Sequence, residues 1–490
     1  MRVLLVYWNP SRELLPAPPI GLAYVATATR RAGHDVQVLD LVGRRRPLDD
    51  LRACLAARAP DVVGLSIRNI DNVVRQRPAW HLADARRLVA AIREASDATI
   101  VLGGPAVSIL GARMLAHVDA DVAVVGEGEE TFPRVLAALE AGRPPAGIPG
   151  VLARGSGAAA GVDTVATRPA RLADFGASGM EEWIDWRPYD RHGATWPIQT
   201  KRGCALACSY CAYPEIEGRT ARRRSPADVA DEIERVRERV GPRAFEFVDS
   251  TFNVPPRHAE DVCEEIGRRR LRVHLTAMGV NPLGVSEPLF ARMRRAGFNS
   301  MMITPEAASA TMLRSLRKGF GVEEVRRTAR LARASGMASM WFFMLGGPGE
   351  TQATVDETVS FVERHLDWPG CVSIFMTGIR VLPGTALAQD VVAAGALAAD
   401  HDLAEPTFYL SPAVDEDWIL DRINRAMRRC PAIVHAAEEG MSTYERIVDR
   451  ALAAFGAAPP YWRFLPRLLR VPPLPLLRGR RPPLGRPAAR

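Results

Sequence analysis

At 490 residues the chain is too long for one ordinary domain, and two or three separate cores are expected. Its net charge of +8 is matched by eight arginines within residues 451–490, a stretch with no acid, so the body is balanced and lacks the basic character of a nucleic-acid binder. No apolar run is long enough to span a membrane, and Met1–Tyr7 reads as a strand rather than a leader, so a cytoplasmic protein is expected.

Residues 1–145 alternate apolar strands with amphipathic helices. Strands are predicted at Val3–Tyr7, Asp35–Asp40, Asp61–Ser66, Thr99–Leu102 and Asp121–Val125. Helices are predicted at Gly21–Arg31, Leu48–Arg58, Leu82–Ser96, Ser108–His117 and Glu129–Ala141. Strands this uniformly apolar are buried on both faces, which predicts an α/β domain with a doubly wound, Rossmann-like parallel sheet. Ligands on such sheets bind beyond the carboxyl ends of the strands. Three ends suit that role: Ser66, Arg68 and Asn69; Gly103 and Gly104; and Gly126, Glu127 and Gly128. Glycines there let a bulky ligand approach the backbone.

Residues 146–195 have no clear period and are expected to be a linker. Over 196–400 the alternation returns, with strands predicted at Ile198–Lys201, Ala244–Val248, Arg272–Thr276, Asn299–Ile303, Ala338–Met344 and Val372–Phe375. Six βα units predict a partial (β/α)6 barrel of the TIM type, with its chemistry at the C-terminal strand ends. Residues 401–460 read as mostly helical. Residues 461–490 mix Pro, Leu and Arg and read as a disordered tail. Its arginines, leucines and aromatics would also suit a weak contact with anionic lipid.

The seven cysteines are an odd, sparse set, which argues against a disulfide framework. Three of them lie in Cys204-Ala205-Leu206-Ala207-Cys208-Ser209-Tyr210-Cys211, directly after a predicted strand. Thiolates at this spacing can wrap one corner of an iron–sulfur cube and leave its fourth iron open to a substrate. A structural zinc would need a fourth ligand, and no cysteine or histidine is close by. Cys54, Cys263, Cys371 and Cys430 fall in predicted helices or strands and are expected to be dispensable.

This loop, with Tyr210 before its last cysteine, resembles the signature of the radical S-adenosylmethionine (SAM) superfamily. The resemblance implies a 4Fe–4S cluster on Cys204, Cys208 and Cys211, with SAM on the open iron. It places the SAM amino group near Asp249 and Ser250, although the usual Gly-Gly-Glu is replaced here. Glu306 would lie near the ribose, and Gly346 and Gly347 near the adenine. Residues 1–145 resemble the cobalamin-binding domain that precedes the barrel in one large class of these enzymes, on Val101–Pro105 and Val125–Thr131. The D-x-H-x-x-G motif that brings a histidine to cobalt is absent. Arg68 is expected to face the metal, or else to pair with Asp71 or a cobalamin amide.

The class implies that a reduced cluster cleaves SAM, that the resulting radical takes a substrate hydrogen, and that methylcobalamin delivers a methyl group. The expected activity is methylation of an unactivated carbon, or of phosphorus, in a small-molecule or lipid-like substrate. Flavodoxin or ferredoxin is the expected electron donor. Cyclisation or ring rearrangement is the alternative within the class. An RNA methylthiotransferase would need three more cysteines in the first domain, where only Cys54 stands. A non-enzymatic cobalamin or SAM sensor would have no use for an open iron.

Overall fold

A computed structural model describes residues 1–9, 17–154, 162–163, 171–437, 443–468 and 470. The first domain runs β1 (Arg2–Trp8), α1 (Ile20–Arg31), β2 (Asp35–Asp40), α2 (Pro47–Arg58), β3 (Val62–Ile67), α3 (Leu82–Ala95), β4 (Thr99–Gly103), α4 (Pro105–Leu110), α5 (Ala112–His117), β5 (Val122–Val124) and α6 (Gly128–Glu140). The short strands β6 (Val151–Arg154) and β7 (Val162–Asp163) follow. The sheet order is β2-β1-β3-β4-β5-β6-β7, parallel through β5 and antiparallel beyond. The strand order reverses between β1 and β3, and a ligand crevice opens at such a switch point. Arg68 follows β3 there. Gly104 is required beside it: its φ is 102°, and a Cβ would stand 2.6 Å from the Ile67 carbonyl oxygen.

The second domain opens with α7 (Arg187–Arg191), β8 (Trp196–Ile198) and β9 (Lys201–Arg202). After the cysteine loop come α8 (Tyr213–Glu217), β10 (Arg222–Arg223), α9 (Pro226–Arg239), β11 (Phe245–Phe247), α10 (Pro256–Arg269), β12 (Leu275–Val280), α11 (Glu287–Ala296) and β13 (Phe298–Glu306). Then follow α12 (Ala310–Ser315), α13 (Val322–Ser335), β14 (Ala338–Leu345), α14 (Gln352–His365), β15 (Cys371–Thr377), β16 (Ile379–Arg380), α15 (Ala386–Ala393) and β17 (Phe408–Tyr409). The chain continues through α16 (Glu416–Arg429), β18 (Ile433–His435), α17 (Thr443–Ala454) and α18 (Leu465–Leu468). The main sheet runs β8-β11-β12-β13-β14-β15-β18, parallel throughout and in sequence order, as an incomplete barrel requires. Ser225 caps α9 by accepting from the Asp228 amide at 3.0 Å.

Five expectations need correction. The segment 146–195 is more than a linker. β6 and β7 extend the first sheet, while Met180, Trp186 and Tyr189 are buried in the barrel core. The barrel sheet has a seventh strand, β18, within a region read as helical. β12 starts three residues later than expected, because Arg270 and Arg272 take positive φ values of 53° and 51° and cannot extend the strand. The helix expected at Ser108–His117 is split at Gly111 into α4 and α5. The tail is docked at its start: Tyr461 is buried, and its hydroxyl accepts from Arg243 at 2.7 Å. The rest of the tail, 471–490, with its expected lipid contact, lies outside the described residues. No helix among the described residues is long and apolar enough to cross a membrane.

The two domains are joined through the segment after β3. Asp71 pairs with Arg380 at 2.6 Å, with both side chains almost fully buried. Arg75 pairs with Glu416 at 3.2 Å, and the Trp80 indole donates to the Ala404 carbonyl at 3.0 Å.

Candidate active site

The cysteine loop is held from three sides. The Cys204 amide donates to the Gly218 carbonyl at 3.0 Å, Ser209 N to Leu316 O at 3.1 Å, and Leu387 N to Ser209 O at 2.7 Å. Gly203 enters the loop with a φ of 92°, and a Cβ there would lie 2.2 Å from the Thr220 carbonyl oxygen. Cys204, Cys208 and Cys211 are free thiols. Burial first, then the neighbouring Cys208 and Cys204, push the Cys211 thiol up to about 12 against the opposing Tyr213 backbone and Lys318. Burial also raises Cys208, against the pull of Lys318. No group of three His, Cys, Asp or Glu among the described residues is drawn in around a single ion. A cube spreads its thiolates over separate irons, so this donor set fits a 4Fe–4S cluster.

Tyr210, between the second and third cysteines, accepts from the Lys318 ammonium at 3.0 Å. Lys318 lies 3.9 Å from Glu306, and both are buried. The Glu306 carboxylate is thus committed to Lys318 and Tyr210 rather than turned outward to a ribose. Burial raises its pKa while Lys318 lowers it. Asp249 is also committed. Its Oδ1 accepts from the Thr200 and Lys201 amides at 2.7 and 3.1 Å, and its Oδ2 from the Thr200 hydroxyl and Lys201 ammonium at 2.6 and 3.2 Å. Four donors fill its four lone pairs, leaving none for the SAM amino group. Ser250 donates to Glu217 at 2.8 Å, and Glu217 also accepts from the Gly203 amide at 3.1 Å. Gly346 and Gly347 are buried, and added Cβ atoms would strike Leu410 and Met312.

In the first domain, Arg68 is exposed, and its charge reaches Tyr7, Tyr213 and Glu246. Asp71 is taken by Arg380 instead. Ser66 and Asn69 are half-buried beside it. A Cβ on Gly103 would project into open space, so packing does not demand this glycine and a ligand could use the room. Gly126 donates to the Ser108 hydroxyl at 2.9 Å, and Gly128 packs closely on Val25. Glu127 was expected at a cofactor. It is instead buried, accepting from Arg222 at 2.8 Å and from the Leu172 amide at 3.0 Å, with Arg202 3.4 Å away. Glu129 pairs with Arg202 at 2.6 Å. The acidic motif therefore ties the first domain to the β9–β10 hairpin that bears the cysteine loop. α4, at the Gly104 end, packs against α8, which follows Cys211. The two candidate cofactor regions are consequently neighbours across this helix contact.

Sequence reasoning missed Glu217, Arg202, Arg222 and Lys318. One signal was available: Lys201 and Lys318 are the chain's only lysines, and both are buried beside the cysteine loop. Among the N-terminal histidines, His34 lies beside the N-terminal amine and His117 pairs with Asp402, so neither faces the β1–β3 crevice. We expect the Co(II) resonance of the cobalamin-loaded protein to show no coupling traceable to labelled histidine nitrogen. Arg68→Ala should alter cobalt coordination or slow methylation of cobalt, read by its visible spectrum.

Residues 198–362 match the radical SAM superfamily, and residues 14–136 match the B12 binding domain. An uncharacterized methyltransferase of Pyrococcus horikoshii is 26% identical over 71% of this chain and 73% of its own length. The tryptophan 2-C-methyltransferase of Streptomyces laurentii is 27% identical over 78% of this chain and 73% of its own. The structure of the radical S-adenosylmethionine methyltransferase TsrM from Kitasatospora setae, with cobalamin and a [4Fe-4S] cluster bound, superposes with a TM-score of 0.79. That likeness covers 96% of this chain and 98% of the other at 24% identity, and it establishes the shared fold. With both domains in one polypeptide, in the order that the residues and their folding indicate, the chain is a radical SAM enzyme with an N-terminal B12-binding domain.

Proposed function

We propose that this enzyme methylates an unactivated carbon, or a phosphorus centre, of a small molecule, using SAM and cobalamin. The observation that supports the reading most is proximity: Arg68, just beyond β3, acts electrostatically on Tyr213 of α8, and α8 follows Cys211 directly while packing on α4 of the first domain. When bound, the cluster supplies an electron to SAM and cobalamin carries the methyl group.

The chain's own part is to hold and to shield. Glu127, Glu129, Arg202 and Arg222 fix the distance between the two sites. Asp249 and Lys201 clamp the end of β11 to the start of the cysteine loop. Lys318 and Tyr210 back the loop from below with one buried positive charge. Arg68, exposed just beyond β3, would offer a bound cobalamin a cation rather than a metal ligand. The barrel wall keeps water from reactive species. The methyltransferase names of the two sequence relatives support this reading.

The test is incubation of the anaerobic, reduced enzyme with trideuteromethyl SAM and candidate substrates. Transfer of the intact labelled methyl group to a product is expected. A cyclised or rearranged product without the label would contradict it.

A further inference from the structure

The barrel strands show two different faces. Phe247, Met301, Ile303, Trp341, Phe343 and Phe375 are fully buried with the surrounding helices. The intervening Met302, Met340, Phe342, Ile374 and Met376 keep partial exposure on the opposite, concave face. Side chains usually fill a barrel of this kind completely. Here the concave face stays open, with methionine and aromatic side chains as its wall.

One corner of that face is polar. Glu246 on β11 stands in register with Thr276 on β12, and Thr276 with Ser300 on β13. The Glu246 Oε2 atom accepts from the Thr195 hydroxyl at 2.6 Å. Its other oxygen, Oε1, has no partner among the described residues, nor do Thr276 Oγ1 and Asn299 Nδ2; all three atoms are buried. Asn299 Oδ1 is taken by the Ser300 hydroxyl at 2.8 Å, which leaves the amide nitrogen to find its acceptor elsewhere. Buried polar atoms rarely stay unpaired, and three on neighbouring strands ask for a common partner.

We propose that this corner receives the polar end of the substrate, and that the substrate is an otherwise apolar molecule bearing an uncharged amide-type group. The inference rests on the methyl-transfer reading and names its substrate class. An N–H beside a C=O gives Glu246 its donor and Asn299 its acceptor at once. A carboxylate or phosphate would meet Glu246 as a like charge, and an ammonium would leave Asn299 unsatisfied. Ser250 lies four residues beyond Glu246, so at the ~3.3 Å per residue of extended chain the two are at most about 13 Å apart along the backbone. The apolar body would bridge that span to the strand ends, where the cofactors meet.

The test is equilibrium dialysis of the anaerobic holoenzyme against naphthalene carboxamide and naphthalene carboxylate. The amide should bind wild type at least about tenfold more tightly. Glu246→Leu should erase that preference at unchanged iron and cobalamin content. Glu246→Gln, uncharged but still an acceptor, should keep the amide and admit the carboxylate. Equal binding or no binding of both probes by wild type, or an intact preference in Glu246→Leu, would overturn the proposal. Binding is read without turnover, so it stands or falls apart from methyl transfer. Label transfer to a substrate without an amide would overturn the substrate class alone.

Discussion

The combined variant Cys204→Ala, Cys208→Ala and Cys211→Ala should contain no iron–sulfur cluster and should leave SAM intact. Wild-type protein purified without oxygen should carry about four irons and four sulfides per chain. The loop is the only place among the described residues where three thiols gather. Cys263 and Cys371 are fully buried in the barrel core, and Cys430 ends α16. Cys54 sits in α2 of the other domain. Single serine replacements at these four should leave iron content unchanged. Cobalamin binding should survive in the triple variant, because the B12 binding domain match covers residues 14–136, apart from the cysteine loop. Iron retained in the triple variant would move the cluster away from this loop.

Lys201→Met should destabilise the barrel by about 3–5 kcal/mol, the usual cost of leaving one member of a buried ion pair alone. Lys201 and Asp249 are 3.2 Å apart, with side chains 1% and 0% exposed. The ammonium also donates to the Phe252 carbonyl at 2.8 Å, so its removal orphans two acceptors. Lys201→Arg should not rescue the site, because a guanidinium is too large and planar for a space shaped to a compact ammonium. A clear fall in the unfolding midpoint, with poorer cluster retention, is the expected readout. A midpoint equal to wild type would show that the pair contributes nothing net.

The cysteine loop was legible because its signal is local: a three-thiol spacing directly after one strand. The doubly wound sheet was legible because its strands are apolar runs with no alternation. What was not legible depends on approach between distant segments. Glu127 stands in a strand-end motif that looks like a ligand loop, yet its partner Arg222 lies 95 residues away in another domain. Asp249 and Glu306 sit at the expected strand ends, but Lys201 and Lys318 occupy their carboxylates. Neither lysine was weighed, although a chain with 64 cationic residues and only two lysines marks both. The edge strands β6 and β7 are too short to carry a period, and β18 has three residues beside a long helix.

The proposed nearness of the two cofactor sites is tested directly by electron spin resonance. The reduced, fully loaded enzyme should show a Co(II) signal broadened or split by the paramagnetic cluster, and the triple cysteine variant should show the same signal without that interaction. An identical, unperturbed Co(II) signal in both proteins, with the cluster reduced in the first, would mean that cobalt and cluster do not share a site.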